Sequence, residues 1–192
     1  RKSEIVDLDN ALYTVKSALQ KAEEHADVSI RSVYMLLTGG HFGSVVNHGT
    51  IPIMDPGREI TRKHMEAVAE AAHLANLEES QQIVHTVNQH YKVDDQEGVV
   101  NPEGMEGGHL GLKVLVIYGS ANRIRNTIKV ADRVPLDVND VAFSGLCAGL
   151  SVLTPEQKES GVLLVDLGGG STDIVLYAPR YLALACSLGV GG

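Results

Sequence analysis

The feature that most constrains this chain is the run Val165-Asp166-Leu167-Gly168-Gly169-Gly170-Ser171-Thr172-Asp173. Apolar residues flank three consecutive glycines, so two strands, Val162 to Leu167 and Asp173 to Leu176, are expected to meet in a tight hairpin. Glycine enters positive φ at little cost, and the turn is expected to use that freedom. With no Cβ atoms in the way, backbone amides can converge on an anion and approach phosphate oxygens closely. Asp166 ends the first strand, where a carboxylate can hold the water shell of Mg2+, an ion that takes few protein ligands. Ser171 and Thr172 offer hydroxyl donors, and Asp173 can brace the turn by bonding its backbone. The candidate phosphate-binding residues are therefore Asp166, Gly168, Gly169, Gly170, Ser171, Thr172 and Asp173. No lysine follows the glycines, which excludes a Walker-type P-loop. A strand rather than a helix comes next, which excludes a dinucleotide-binding fingerprint.

Upstream, helices and strands alternate. Asp9 or Asn10 can cap a first helix whose Leu12, Val15, Leu19 and Ala22 form one apolar stripe. Arg31 to Thr38 reads as a strand buried on both faces, ended by Gly39-Gly40. A weaker strand, His41 to Ile53, is closed by Pro56-Gly57. Thr61 then caps a helix with Ile60 and Met65 as its hydrophobic staple and Met65, Val68, Ala69 and Ala72 as its buried stripe. Gln82 to Val93 is extended, Gly98 to Gly108 is a loop, and Leu110 to Tyr118 is a strand with Leu110, Leu112, Val114 and Val116 on one face. Ser120 caps a helix that turns Ile124, Ile128 and Ala131 inward and Arg123, Arg125, Lys129 and Arg133 outward. Val141-Ala142-Phe143 leads into the small-residue stretch Ser144 to Leu153, read as a closely packed helix. Thr154, Pro155 and Gln157 cap a short helix that Gly161 stops. The implied order is helix, strand, a block from Gly40 to Asp140 with three strands and two helices, then strand, helix and hairpin. The block is large enough for an α+β subdomain with its own core.

Composition bounds the function. The chain has 192 residues, 44% hydrophobic and 21% charged, as expected of one large globular domain or two small ones. Its 24 acidic against 16 basic residues give a net charge of −8, without the electrostatic footprint of a nucleic-acid binder. No polybasic membrane patch stands out either. Cys147 and Cys186 lie in apolar settings and read as reduced core thiols. The uncharged stretch Val141 to Pro155, 15 residues with several polar ones, is too short for a bilayer. Arg1-Lys2-Ser3-Glu4 leads into an acidic stretch and shows no signal peptide. The chain starts without methionine and ends on Val190-Gly191-Gly192, so it is expected to be part of something larger. The eight histidines lack zinc-site spacing and no structural metal is expected. Ser144 has no GxSxG around it and Cys147 sits in an apolar run, so no catalytic residue is assigned. The Glu78-Glu79 and Asp94-Asp95 pairs read as solvated turns, and the basic helix face as solvated surface.

Gly161 to Tyr177, GVLLVDLGGGSTDIVLY, resembles the second phosphate motif of the superfamily joining actin, the heat-shock chaperone ATPases and the sugar kinases. Four further segments narrow this. They are Ser32 to His41 (SVYMLLTGGH), His90 to Gly98 (HYKVDDQEG) with Asn101-Pro102 and Gly104, Ala142 to Leu146 (AFSGL) and Ser151 to Thr154 (SVLT). In collinear order they resemble the FtsA family of bacterial cell-division proteins. That resemblance implies a partial actin-like (ribonuclease H-like) α/β fold with an inserted SHS2-type subdomain 1C. Residues 1–40 and 141–160 would belong to subdomain 1A, 41–140 to 1C, and 161–192 to the start of 2A. It further implies ATP and Mg2+ as ligands of the complete protein, with at most weak ATPase activity. The implied partners are FtsZ, further copies of itself and later division proteins, the last two through 1C, at the inner face of the cytoplasmic membrane. The first phosphate hairpin, the adenosine motif, subdomain 2B that binds FtsZ and the C-terminal membrane helix have no counterpart among these residues, so little ATP affinity is expected of them alone. Alternatives are another actin-like scaffold of the pilus-assembly kind, or a superfamily phosphotransferase or phosphohydrolase. The latter needs a general base that no residue here supplies.

Overall fold

The computed structural model describes residues 4–54, 57, 59–74 and 76–192; Arg1-Lys2-Ser3 and Pro56 of the turn expected at Pro56-Gly57 lie outside them. Helix α1 spans Leu8–Ala26. Its cap is Asp7, two residues before the Asp9 and three before the Asn10 that the sequence suggests: Asp7 is extended, and its Oδ1 accepts from the amides of Asp9 (3.0 Å) and Asn10 (3.1 Å). Strand β1 (Ser32–Leu37) follows, and then β2 (Gly43–Pro52), α2 (Arg62–His73), β3 (Gln81–Val93), β4 (Gln96–Val99) and β5 (His109–Ser120). The chain continues through α3 (Ala121–Asp132), β6 (Asp137–Phe143), α4 (Ser144–Val152) and α5 (Pro155–Ser160) to β7 (Val162–Leu167), β8 (Thr172–Ala178) and β9 (Tyr181–Leu188). β9 adds a third strand to the hairpin that the sequence predicts.

Three sheets result: parallel β1-β6, four-stranded β2-β5-β3-β4, and antiparallel β7-β8-β9. The expected inserted block is shorter and differently built. It holds four strands and one helix and closes at Ser120, because α3 and β6 leave that sheet and β6 pairs with β1. Asp94, at φ 48°, makes the β3–β4 turn, and its carboxylate also accepts from the amides of Gly108 and His109. Those bonds hold its pKa below the ordinary value and clamp the 100–108 loop, so this is more than a solvated turn.

The centre of the fold is β5. Its Leu110, Leu112, Val114 and Val116 are buried against α2, where Ile60, Val68 and Ala72 meet them as the staple and stripe anticipate. A Cβ on Gly49 would fall 2.8 Å from the Val68 carbonyl oxygen, so glycine there lets α2 lie directly on the sheet. On the opposite face Leu115 and Ile117 join Leu37, Phe42, Ile124, Phe143, Val175 and Tyr177 in a second core. The strand expected to be buried on both faces, β1, is not: Tyr34 is 75% and Leu36 59% exposed. With β6 as its one partner, β1 forms a two-stranded sheet covered on the Val33, Met35 and Leu37 side alone. The α1 stripe is likewise shallow, with Leu12, Val15 and Leu19 half-buried and Ala22 exposed.

Two histidines tie the four-stranded unit to the rest. The Phe143 amide donates to His85 Nε2 (2.9 Å), and the Ser120 amide to His41 Nδ1 (3.1 Å), so each ring nitrogen must be unprotonated. Burial lowers both pKa values, aided for His41 by Arg123 and opposed by Glu4; Asp140 opposes it for His85. Folded-state values below the ordinary one mean that the unfolded chain takes up protons first. Stability is therefore full above about pH 6.5 and falls as the pH drops through the folded values. Thermal melts are expected to show a lower midpoint at pH 5.5 than at pH 7.5, with a smaller difference in His85→Gln. For the packing itself, Leu112→Ala is expected to cost about 2–5 kcal/mol in urea unfolding.

Candidate functional site

In the β7–β8 hairpin Leu167 faces Thr172, leaving Gly168 to Ser171 as the loop. The Gly168 amide donates to the Ser171 carbonyl at 2.9 Å. The positive-φ glycines are Gly39, Gly57, Gly98, Gly104 and Gly161, so the triplet does not use the φ freedom the sequence suggests. At Gly168 close approach is the reason for glycine, because a Cβ there would sit 2.9 Å from the Ser171 carbonyl oxygen. The segment 189–192 crosses the loop, with the Gly192 amide donating to the Gly168 carbonyl at 3.1 Å, and a Cβ on Gly191 would collide with that carbonyl and with the Gly170 amide. At the tip, a Cβ on Gly169 would meet nothing within 4 Å.

The polar residues after the glycines divide. Thr172 turns its hydroxyl to the Val190 carbonyl (2.7 Å) and so secures the segment 189–192. Asp173 is 3% exposed, and its Oδ1 accepts from the Thr38 hydroxyl at 2.6 Å; the bond to its own backbone that the sequence suggests gives way to this one. The Ser171 hydroxyl lies 3.1 Å from Thr38 Oγ1. Ser187 stands opposite Asp173 on β9, 5% exposed, and its Oγ finds no hydrogen-bond partner among the described residues. Thr38, just before Gly39-Gly40, and Ser187 are the members the sequence reading missed. Gly39 at φ 132° turns the chain after Thr38, and a Cβ on Gly40 would sit 2.7 Å from the Gly189 amide nitrogen. From above, α4 closes the corner through Gly145, where a Cβ would lie 3.0 Å from that of Asp173 and 2.8 Å from the Phe143 ring. Close packing is thus the role of the small-residue helix. Burial raises the thiol pKa of half-buried Cys147, which keeps it from acting as a thiolate. Cys186 is held up in the same way, with Asp173 adding to the effect.

Asp166, exposed, is the direct cross-strand partner of Asp173. Directly opposed residues in an antiparallel pair share one face about 5 Å apart, and like charges there repel. Neither carboxylate has a basic side chain in ion-pair range among the described residues. A hydrated divalent cation fits such a pair: one carboxylate is fixed by Thr38, the other is open to water, and Mg2+ keeps much of its hydration shell. Among the described residues no group of three or more His, Cys, Asp or Glu gathers as an all-protein metal cage.

The chain is mixed α/β, with a unit of four strands and one helix beside a glycine hairpin among the described residues. The family model "SHS2 domain inserted in FTSA" matches residues 39–118, ending close to the last residue of β5. The chain is 36% identical over 177 residues to cell division protein FtsA of Pseudomonas aeruginosa, covering 92% of this chain and 42% of that protein. It is 35% identical over 176 residues to FtsA of Escherichia coli K12, covering 92% and 41%. The PilM-PilN type IV pilus biogenesis complex superposes over 100% of this chain and 51% of its own with a TM-score of 0.59 at 14% identity, a likeness of fold. The chain belongs to the FtsA family of cell division proteins. It spans about two-fifths of the length of the curated relatives it matches.

Two outcomes test the corner. Asp173→Ala removes the buried acceptor of Thr38 and is expected to cost about 1–3 kcal/mol in urea unfolding, with Asp173→Asn losing less because its amide oxygen still accepts. Asp166→Asn relieves the opposed charges, so its melting midpoint is expected to rise.

Proposed function

We propose that this chain is the part of a cell-division protein that carries one side of an Mg-ATP site together with a recruiting insert. In that reading Asp166 and Asp173 hold the water shell of Mg2+, and the Gly168–Ser171 loop lies against the nucleotide phosphates. The chemistry supplied by Mg-ATP is charge neutralisation between hairpin and phosphates. The chain's own residues position and desolvate: Thr38 fixes Asp173, α4 excludes water from it, and Thr172 with the segment 189–192 holds the loop in shape. In this reading the protein is a structural nucleotide-binding protein with at most weak ATPase activity. Residues 1–40 and 121–160 belong to subdomain 1A in this reading, since β6 pairs with β1, the four-stranded insert forms 1C, and 161–192 open 2A. The whole protein binds ATP, polymerises and tethers FtsZ filaments to the cytoplasmic membrane, recruiting later division proteins through 1C. No described helix is long and apolar enough to cross a bilayer, so in this reading attachment to the membrane depends on segments outside these residues.

The observation that carries the reading is the opposed Asp166–Asp173 pair beside a glycine loop, in a chain whose neighbouring unit matches the FtsA insert. The fold likeness to the pilus complex favours a scaffold of that kind as the second reading, against which stands 14% identity compared with 35–36% for FtsA. In the full-length gene product, Asp166→Ala is expected to weaken Mg-ATP binding about tenfold or more by calorimetry, since a charge-assisted contact contributes about 1.5–3 kcal/mol, and to reduce sedimentable polymer without lowering the melting midpoint. Unchanged nucleotide affinity would remove the role given to Asp166, and failure to co-sediment with FtsZ and liposomes would remove the tethering role.

A further inference from the structure

The face of the four-stranded sheet turned away from α2 changes character along its length. At one end Leu115 and Ile117 are buried in the core shared with β8 and β9. At the other, register sets His48, Lys113 and His90 side by side across β2, β5 and β3. The next row is Thr50, Gly111 and Lys92. Alternation puts both rows on the same face. Together they line an open hollow of about 260 Å3 in which Glu97 is the lone carboxylate, and Glu97 is engaged with Lys92 at 3.4 Å. His48 and Lys92 are exposed, Lys113 and His90 half-buried. Gly111 floors the hollow, leaving a trough between the Thr50 and Lys92 side chains.

Three cationisable groups abreast are unfavourable without an anion, because directly opposed like charges repel. His90 registers this. Its pKa is lowered first by burial and then by Lys113, with His48 acting in the same direction and Glu97 against; the Tyr181 ring stands edge-on to it at 5.6 Å. The concentration of positive groups is the more notable in a chain of net charge −8. Strands lie about 4.8 Å apart, so the row from His48 to His90 spans roughly 10 Å. A single small anion reaches only part of that width. An extended peptide places same-side residues about 6.6–7 Å apart, so carboxylates at alternate positions can both reach the row.

We propose that this basic row of the insert is a docking surface for an extended acidic segment of a partner protein, with Asp or Glu at alternate positions, seated over the Gly111 trough between His48, Lys113, His90 and Lys92. The attraction is between charged groups near solvent, so salt weakens it.

The test is fluorescence anisotropy of the 192-residue chain with a fluorescein-labelled peptide of alternating glutamate and serine, and with a peptide of the same composition in which all glutamates are contiguous. The alternating peptide is expected to bind more tightly, and affinity to drop about three- to fivefold in Lys113→Gln, in line with single exposed charge pairs. Lys92→Gln, at an exposed position, gives the same reading should Lys113→Gln melt early. Lys129→Gln, on the basic face of α3, is expected to change nothing. Equal loss in Lys129→Gln, equal affinity for the contiguous peptide, displacement by millimolar inorganic phosphate alone, or no binding at low salt would each overturn the proposal. None of these outcomes bears on nucleotide binding at the hairpin.

Discussion

One strand carries two cores. β5 is buried on both sides, its even-numbered residues from Leu110 to Val116 against α2 and its Leu115 and Ile117 against Phe42, Phe143 and Val175. Each fully buried Leu, Ile or Val stabilises by about 1.5–3 kcal/mol, and here the same backbone collects that contribution from both faces. The insert is consequently fastened to the remainder through its middle. Its covering helix has a core of its own, yet the far face of its sheet is part of the core beneath β8 and β9. The amide bonds to His41 and His85 and the contact from Gln89 Nε2 to the Leu182 carbonyl (2.7 Å) stitch the same junction in polar terms.

That junction also explains where the hairpin sits. β9 bonds back to the insert's neighbourhood through the Ser187 amide and the Phe42 carbonyl (3.1 Å) and through the Ala185 amide and Ser44 Oγ (2.9 Å). With β9 held there, β8 brings Asp173 under α4 and against Thr38, residues 135 positions apart in sequence. A buried carboxylate is costly unless hydrogen-bonded or paired. This one has a short hydrogen bond from Thr38 and faces a second carboxylate across the strand pair.

The local signals in the sequence were strong where one residue type has one physical use. Thr61 with Ile60 and Met65, and Thr154-Pro155 with Gln157, mark helix starts because an oxygen cap, a staple and a proline serve orphan amides and nothing else as well. The glycine triplet marks a hairpin for a comparable reason, and β7 and β8 do meet across Gly168 to Ser171. Legibility stopped where partners are remote. Nothing local announces that Thr38 will hold Asp173, that Ser187 will lie opposite it, or that the glycine triplet stays out of positive φ.

An apolar run looks alike whether one face or two will be covered, so Arg31 to Thr38 and Leu110 to Tyr118 could not be told apart as edge and centre until pairing chose between them. Likewise the end of the insert at Ser120 follows from β6 pairing with β1, a contact a hundred residues long in the chain. Local order, the caps and the family resemblance were written in the sequence itself, because they depend on residues a few positions apart. Which faces are buried, which carboxylates meet and where the insert stops were decided by tertiary pairing, because burial and charge opposition exist only once distant strands lie side by side.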